Sequence, residues 1–208
     1  MNKTVTLLLS LTKKEDIPFI RGDCIGVDRG AFFALIHNIP LAFAVGDFDS
    51  ITQEEKSALF EVYKNRWVEL PKEKDQSDAE AAIRFAIEQG YTSIILLGGI
   101  HGRQDHFFSL LQLLHVFADY PIQIMDSQHL IRVLQPGLYE LEKTHDYFSL
   151  FAIEEAMISI DDAKYPLKAK KIEPNNPLGL SNTWINHQSV RIHVQSGLVL
   201  LFLTKDEI

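Results

Sequence analysis

Leu41-Ala42-Phe43-Ala44-Val45-Gly46-Asp47-Phe48-Asp49-Ser50 decides how the rest of the chain is read. Its first five residues form a short apolar run of the kind that makes a buried strand. Two carboxylates, Asp47 and Asp49, then arrive where the strand should end. In open α/β sheets, ligands sit outside the carboxyl ends of the strands. Paired carboxylates at such an edge repel each other unless something positive lies between them. Mg2+ suits that place, because it takes hard oxygen ligands and keeps substrate phosphates as partners. A plainer reading stands beside it: Gly, Asp and Ser are turn residues, and Asp49 or Ser50 could cap the next helix.

Working outward, the flanking segments repeat the pattern. Residues 4–9 read as an opening strand and 24–28 as a second, ending in Asp28, with a helix from Arg29-Gly30-Ala31 to about His37. Thr52-Gln53-Glu54-Glu55 has the capping-box form for a helix reaching about Asn65, and residues 67–70 make a weak strand. Ser77-Asp78-Ala79-Glu80 is a second capping box, opening a helix that Gly90 should end. Residues 93–97 form a continuous apolar strand, followed by Gly98-Gly99, a polar loop, a helix over about 105–118 and a strand at 122–125. Strands alternating with helices predict an α/β domain over residues 1–126 with a mainly parallel sheet.

The pattern changes near Asp126. Residues 131–134, 138–141, 148–153, 157–160, 190–194 and 198–203 are candidate strands separated by turn signals such as Pro136-Gly137 and Ser196-Gly197. Val190-Arg191-Ile192-His193-Val194 alternates apolar and polar, as a half-exposed antiparallel strand should. Residues 127–208 are therefore expected to form a small all-β sandwich or barrel.

Composition narrows the function classes. The chain has 208 residues, 46% apolar and 23% charged, ordinary for a soluble globular protein. No apolar run approaches the roughly 18 residues that span a bilayer. The N-terminus shows no signal pattern, so no membrane association and a cytoplasmic location are expected. The net charge of −8 argues against nucleic-acid binding. Cys24, the single cysteine, sits in an apolar run and reads as a small buried hydrophobe.

Acids recur at the strand ends of the first domain: Asp28, then Asp47 and Asp49, then Asp75 and Asp78, then Asp105. In a doubly wound sheet these loops converge on one edge, which favours a metal–phosphate site over a set of unrelated caps. Lys74-Asp75-Gln76-Ser77-Asp78 would add carboxylates for a metal and Lys74 for phosphate. Gly98-Gly99-Ile100-His101-Gly102-Arg103-Gln104-Asp105-His106 is the richest loop. Its glycines let backbone N–H groups approach phosphate oxygens, and Arg103 can hold a phosphate bidentately. The loop lacks the Gly-Lys-Ser/Thr ending of a Walker A motif. His101 and His106 have no accompanying cysteine cluster or His-Glu-x-x-His pattern, which disfavours zinc. In the second domain, Gly179-Leu180-Ser181-Asn182-Thr183-Trp184 is a tight turn beside a core Trp, or a pocket for a planar polar ring. Tyr165-Pro166-Leu167 is an edge strand or an aromatic wall.

The segments Gly26-Val27-Asp28-Arg29-Gly30-Ala31, Gly46 to Ser50, Lys74 to Asp78 and Gly98 to His106, with Gly179-Leu180-Ser181-Asn182, resemble the ordered motifs of the thiamine pyrophosphokinase family. The match spans nearly the whole chain. Arg29 stands where many members have a second Gly, and Ser109 where many have Asn. The resemblance implies transfer of a diphosphate from ATP to the thiamine hydroxyl, giving thiamine diphosphate and AMP. It implies Mg2+ on Asp47, Asp49 and Asp75, with Asp78 completing the metal shell and Arg103 and Asp105 sharing in catalysis. ATP would meet Asp28, Arg29, Gly30, Lys74, Gly98, Gly99 and Arg103. Thiamine would meet Asp105, His106, Tyr165, Ser181 and Asn182. A homodimer is implied, with the β-domain of one chain completing the site of the other. Two other classes compete. One is a metal-dependent phosphohydrolase with Asp47 as nucleophile, although such enzymes usually continue Gly-Thr where this chain has Ser50-Ile51. The other is a non-catalytic nucleotide or thiamine sensor.

Overall fold

The structure, a computed structural model, describes residues 3–71, 75–185 and 189–206. It divides into two units, Met1–Ser127 and Gln128–Ile208.

The first unit runs β1 (Thr4–Leu8), β2 (Asp23–Val27), α1 (Arg29–Ile36), β3 (Phe43–Gly46), α2 (Gln53–Tyr63), β4 (Trp67–Glu69), α3 (Asp78–Glu88), β5 (Ser93–Leu97), α4 (Gln104–Val116) and β6 (Ile122–Met125). Every pairing among these six strands is parallel, in the order β6-β5-β1-β2-β3-β4. Helices cover both faces. Ala44 packs with Ala31, Ala34 and Leu59 of α1 and α2. Its neighbour Phe43 meets Phe85 of α3 edge-on at 5.0 Å. Adjacent strand residues point to opposite faces, so α3 lies across the sheet from α1 and α2. This is why β1 and β5 are buried from their second residue on, and why their sequences are continuous apolar runs.

The strand order places a reversal beside β1. The chain moves from β1 through β2 and β3 to β4 on one side, then returns to lay β5 and β6 on the other. The carboxyl ends of β1 and β5 therefore flank a crevice at a topological switch point. One element here was not expected from the sequence: a 3-10 helix at Lys14–Phe19, whose Asp16 Oδ2 accepts the Lys13 N–H at 2.8 Å.

The second unit contains β7 (His129–Leu134), β8 (Gly137–Leu141), β9 (Tyr147–Ala152), β10 (Ala156–Asp161), β11 (Leu167–Ile172), β12 (Gly179–Asn182), β13 (Val190–Ser196) and β14 (Val199–Thr204). Here β12-β9-β14-β7 and β11-β10-β13-β8 form two antiparallel layers. One core joins them, with Phe148, Leu150 and Leu201 from one layer against Ile158, Ile192 and Val194 from the other. Trp184 closes it: its indole N–H donates to the Leu141 carbonyl at 2.8 Å and its ring meets Phe148 at 5.0 Å. This is the expected sandwich. β11, of which the sequence reading offered only an edge strand at 165–167, and β12, read as a turn or pocket, are both edge strands. The run Leu-Lys-Ala-Lys-Lys-Ile of β11 carries exposed lysines in place of an apolar alternation, a pattern that blunts edge-to-edge pairing.

Candidate active site

Three loops and one helix start bring acids to the carboxyl edge of the parallel sheet. Asp28 ends β2 and stands at the N-cap of α1, yet its side chain does not cap that helix. Its Oδ1 accepts the Phe48 N–H at 3.1 Å, across from β3. Asp47 comes directly after β3 and its Oδ1 accepts the Asp49 N–H at 3.1 Å. Capping of the next helices falls to other residues: Thr52 caps α2 in a reciprocal box with Glu55, and Ser77 caps α3. Neither Asp49 nor Ser50 serves as the cap, and Asp78 occupies the first turn of α3.

Carboxylate oxygens of Asp28, Asp47 and Asp78 lie within 4.8 Å of one another. Asp28 and Asp47 are buried, and Asp78 is half-buried. Burial, then the charges of Asp78 and Asp47, push the Asp28 carboxyl up to about 7. Gly46 is required beneath this cluster, because a Cβ there would stand 2.0 Å from Asp28 Oδ1.

The cluster borders an open cleft of about 410 Å3, whose lining includes Ser10 after β1, Asp49 after β3, Asp78 and the Gly98–Gly99 turn after β5. Gly98 has φ +80, and a Cβ on it would fall 2.1 Å from the Thr12 amide nitrogen, so the turn needs glycine on both counts. Asp105, His106 and Ser109 supply the α4 wall. A larger hollow of about 540 Å3 lies at the opposite edge of the sheet. Its one carboxylate, Asp23, is already engaged by the Tyr91 hydroxyl at 2.7 Å.

The cations sit at the rim. Arg29 is exposed and donates to the Ser50 carbonyl at 3.3 Å. Arg103 grips Asp105 with Nε at 3.1 Å and Nη2 at 2.5 Å. That pairing pulls the Asp105 carboxyl down to about 2 and raises the Arg103 guanidinium. Asp105 so held is a weak proton acceptor.

Measured against the sequence reading, Asp28, Asp47 and Asp78 come together, whereas Asp49 lies on the cleft wall and Asp75 is exposed outside the three-acid cluster. Gly30 is buried in α1. Lys74 lies outside the described residues. In the second unit Tyr165 is exposed, and Asn182 is buried with its amide on the backbone of Tyr165 and Thr183. Ser181 is exposed in the left-handed region, at φ 54. The sequence reading did not single out Phe48 or the 9–11 turn. The turn had a signal in the sequence: it leaves the carboxyl end of β1, the strand at the switch point, where a ligand loop is expected.

Two family models match the chain: the catalytic domain of thiamin pyrophosphokinase over residues 23–125, and its vitamin B1 binding domain over 134–199. A thiamine pyrophosphokinase of Bacillus subtilis is 32% identical over 188 residues, covering 88% of this chain and 87% of that protein. Among solved structures, thiamin pyrophosphokinase from Geobacillus thermodenitrificans superposes with a TM-score of 0.86 at 30% identity, covering 98% of each chain. The Bacillus subtilis crystal structure gives 0.85 at 28%, covering 99% of this chain and 100% of its own.

Proposed function

The chain belongs to the thiamine pyrophosphokinase family of ATP-dependent diphosphotransferases, and on that premise we propose that its three-acid cluster is the Mg2+–ATP end of the site. One observation carries this: three carboxylates delivered by β2, β3 and α3 meet at the switch-point crevice of the parallel sheet. The donor set fits the ion. It is all hard oxygen, and the Asp28 carboxyl is raised first by burial and then by the charges of Asp78 and Asp47 beside it. When bound, Mg2+ would neutralise phosphate oxygens and the charge gathering on departing AMP.

The remaining work falls to the chain's own groups. Asp28, Asp47 and Asp78 would hold the cation, with Asp49 and Asp75 as further carboxylates near it. The Gly98–Gly99 amides and Arg103 take phosphate oxygens, with Arg29 and Lys74 at the rim. Transfer of this kind depends on positioning and charge more than on covalent help. Asp105 accepts a hydrogen bond from the thiamine hydroxyl and aims its oxygen at the β-phosphorus, beside His106. The thiamine ring is assigned to Tyr165, held by Asn182, with Ser181 beside it. We assign the working unit as a homodimer in which the β-unit of one chain completes the partner's site. A cytoplasmic location fits a chain in which no described helix is long and apolar enough to cross a membrane.

The test is to incubate the protein with ATP, Mg2+ and thiamine and to separate the products. AMP with thiamine diphosphate is the expected pair; ADP with thiamine monophosphate would overturn the reaction type.

A further inference from the structure

Phe48 stands between the two acids of the β3 loop, and its backbone is in the left-handed region at φ 57. For a bulky side chain that conformation is strained, and it persists only where the surroundings enforce it. The enforcement is visible. The Phe48 ring is 2% exposed and stacks on the Trp67 ring of β4, with centroids 3.8 Å apart and planes 22° apart. Phe60 of α2 meets the same indole edge-on at 5.6 Å. Lys56 Nζ lies 5.7 Å from the Phe48 ring and 5.8 Å from the Trp67 ring, and is fixed by Glu69 at 2.8 Å. On the other side, the Phe48 N–H is taken by Asp28 Oδ1.

The left-handed residue sets the direction in which the chain leaves Asp47. It sends the Asp49 N–H back to Asp47 Oδ1, and it aims the Phe48 N–H at Asp28. Two of the three clustered carboxylates therefore have an oxygen oriented by this one turn. Phe48 is buried and is not among the residues that line the cleft.

We propose that Phe48 and Trp67 are positioning residues: their stack holds the strained turn that orients Asp47 and Asp28, and so sets the cation affinity of the site. This rests on the assignment of the acid cluster to a cation. Removing a partner that orients a ligand typically costs about 10–100-fold in metal affinity. A turn held by the backbone alone would keep its affinity without the ring, and Gly at position 48 would even relieve its strain. A turn held by the stack would lose affinity with either ring.

The probe is Mn2+ binding to the full chain without nucleotide, by titration calorimetry. It is made on wild type, Asp47→Asn, Trp67→Leu, Trp67→Phe and Phe48→Gly, with circular dichroism as the folding control. Trp67→Leu keeps apolar volume on β4 and removes the indole. The expected result is at least a tenfold weaker Mn2+ affinity in Trp67→Leu and Phe48→Gly, near-complete recovery in Trp67→Phe, and an unchanged KM for thiamine. Affinity within twofold of wild type in folded Phe48→Gly or Trp67→Leu would overturn the proposal while leaving the cation site intact. A wild type that binds Mn2+ no better than Asp47→Asn would remove the cation assignment itself, and this inference with it.

Discussion

The Asn182 side chain holds Tyr165 by both ends of its backbone: Oδ1 accepts the Tyr165 N–H at 3.0 Å and Nδ2 donates to the Tyr165 carbonyl at 2.8 Å. The same Oδ1 accepts the Thr183 N–H at 2.9 Å. Asn182 is thus a clamp on the backbone of an exposed aromatic. Asn182→Ala should raise the KM for thiamine about as much as Tyr165→Ala and leave the KM for ATP unchanged. It should also cost about 1–3 kcal/mol of stability, because backbone groups lose their partners. Steady-state kinetics against each substrate decide it; a normal thiamine KM in Asn182→Ala would separate the clamp from the ring site.

Asp47→Asn and Asp78→Asn should each lower turnover by orders of magnitude while the fold survives, because they remove charge from the cation site and almost no volume. Asp75→Asn should act later. It should leave Mn2+ binding to the free protein unchanged and weaken use of Mg2+–ATP, since Asp75 is exposed outside the cluster. Initial rates against Mg2+ check this. A near-normal rate in Asp47→Asn or Asp78→Asn would take that residue out of the site.

Asp28 should tie stability to pH. Its carboxyl is raised in the folded chain to about 7 from 3.8, so the folded, cation-free protein binds this proton more tightly than the unfolded one. Stability from this group is complete below about pH 4 and is lost as pH rises toward 7. Asp28→Asn keeps an acceptor for the Phe48 N–H. It should be more stable than wild type by on the order of 2 kcal/mol at pH 8, and by less at pH 5. Melting temperatures without divalent ions measure the difference. A gap that does not widen between pH 5 and pH 8 would contradict it.

Arg103→Ala should reduce kcat/KM for ATP, with poor rescue by Arg103→Lys, because a single ammonium cannot reproduce the guanidinium fork. The same change should let the Asp105 carboxyl climb from about 2 toward the ordinary carboxylate range, because Arg103 is the first cause of its depression. Carboxyl titration by NMR would show the climb, and unchanged ATP kinetics would dismiss the phosphate contact.

Mixing an Asp49→Asn chain with a Tyr165→Ala/Ser181→Ala chain should restore part of the activity if sites are shared between subunits. One of the two sites in each mixed dimer is then intact. No recovery, with subunit exchange confirmed, would place each complete site within one chain.

The alternation of buried strands, capped helices and acids at strand ends was legible in the sequence, because it rests on local rules. Apolar runs of five residues, the Thr52 and Ser77 caps and the Gly98–Gly99 turn each act over a few positions. The same rules fail at β11 and β12, where an edge strand needs no apolar alternation. They fail too for the clamp of Asn182 on Tyr165, 17 residues away. Only the tertiary structure decided which acids meet. Spacing grouped Asp47 with Asp49, and the strand order β1-β2-β3 adds Asp28, whose carboxylate comes within 4.8 Å of those of Asp47 and Asp78, while Asp49 lines the adjoining cleft. The depressed carboxyl of Asp105 is local, held down by Arg103 two positions earlier in the chain. The raised one of Asp28 is not: burial comes first and the charges of Asp78 and Asp47 next, all set by segments distant in sequence that only the fold brings together, so no reading of adjacent residues contains it.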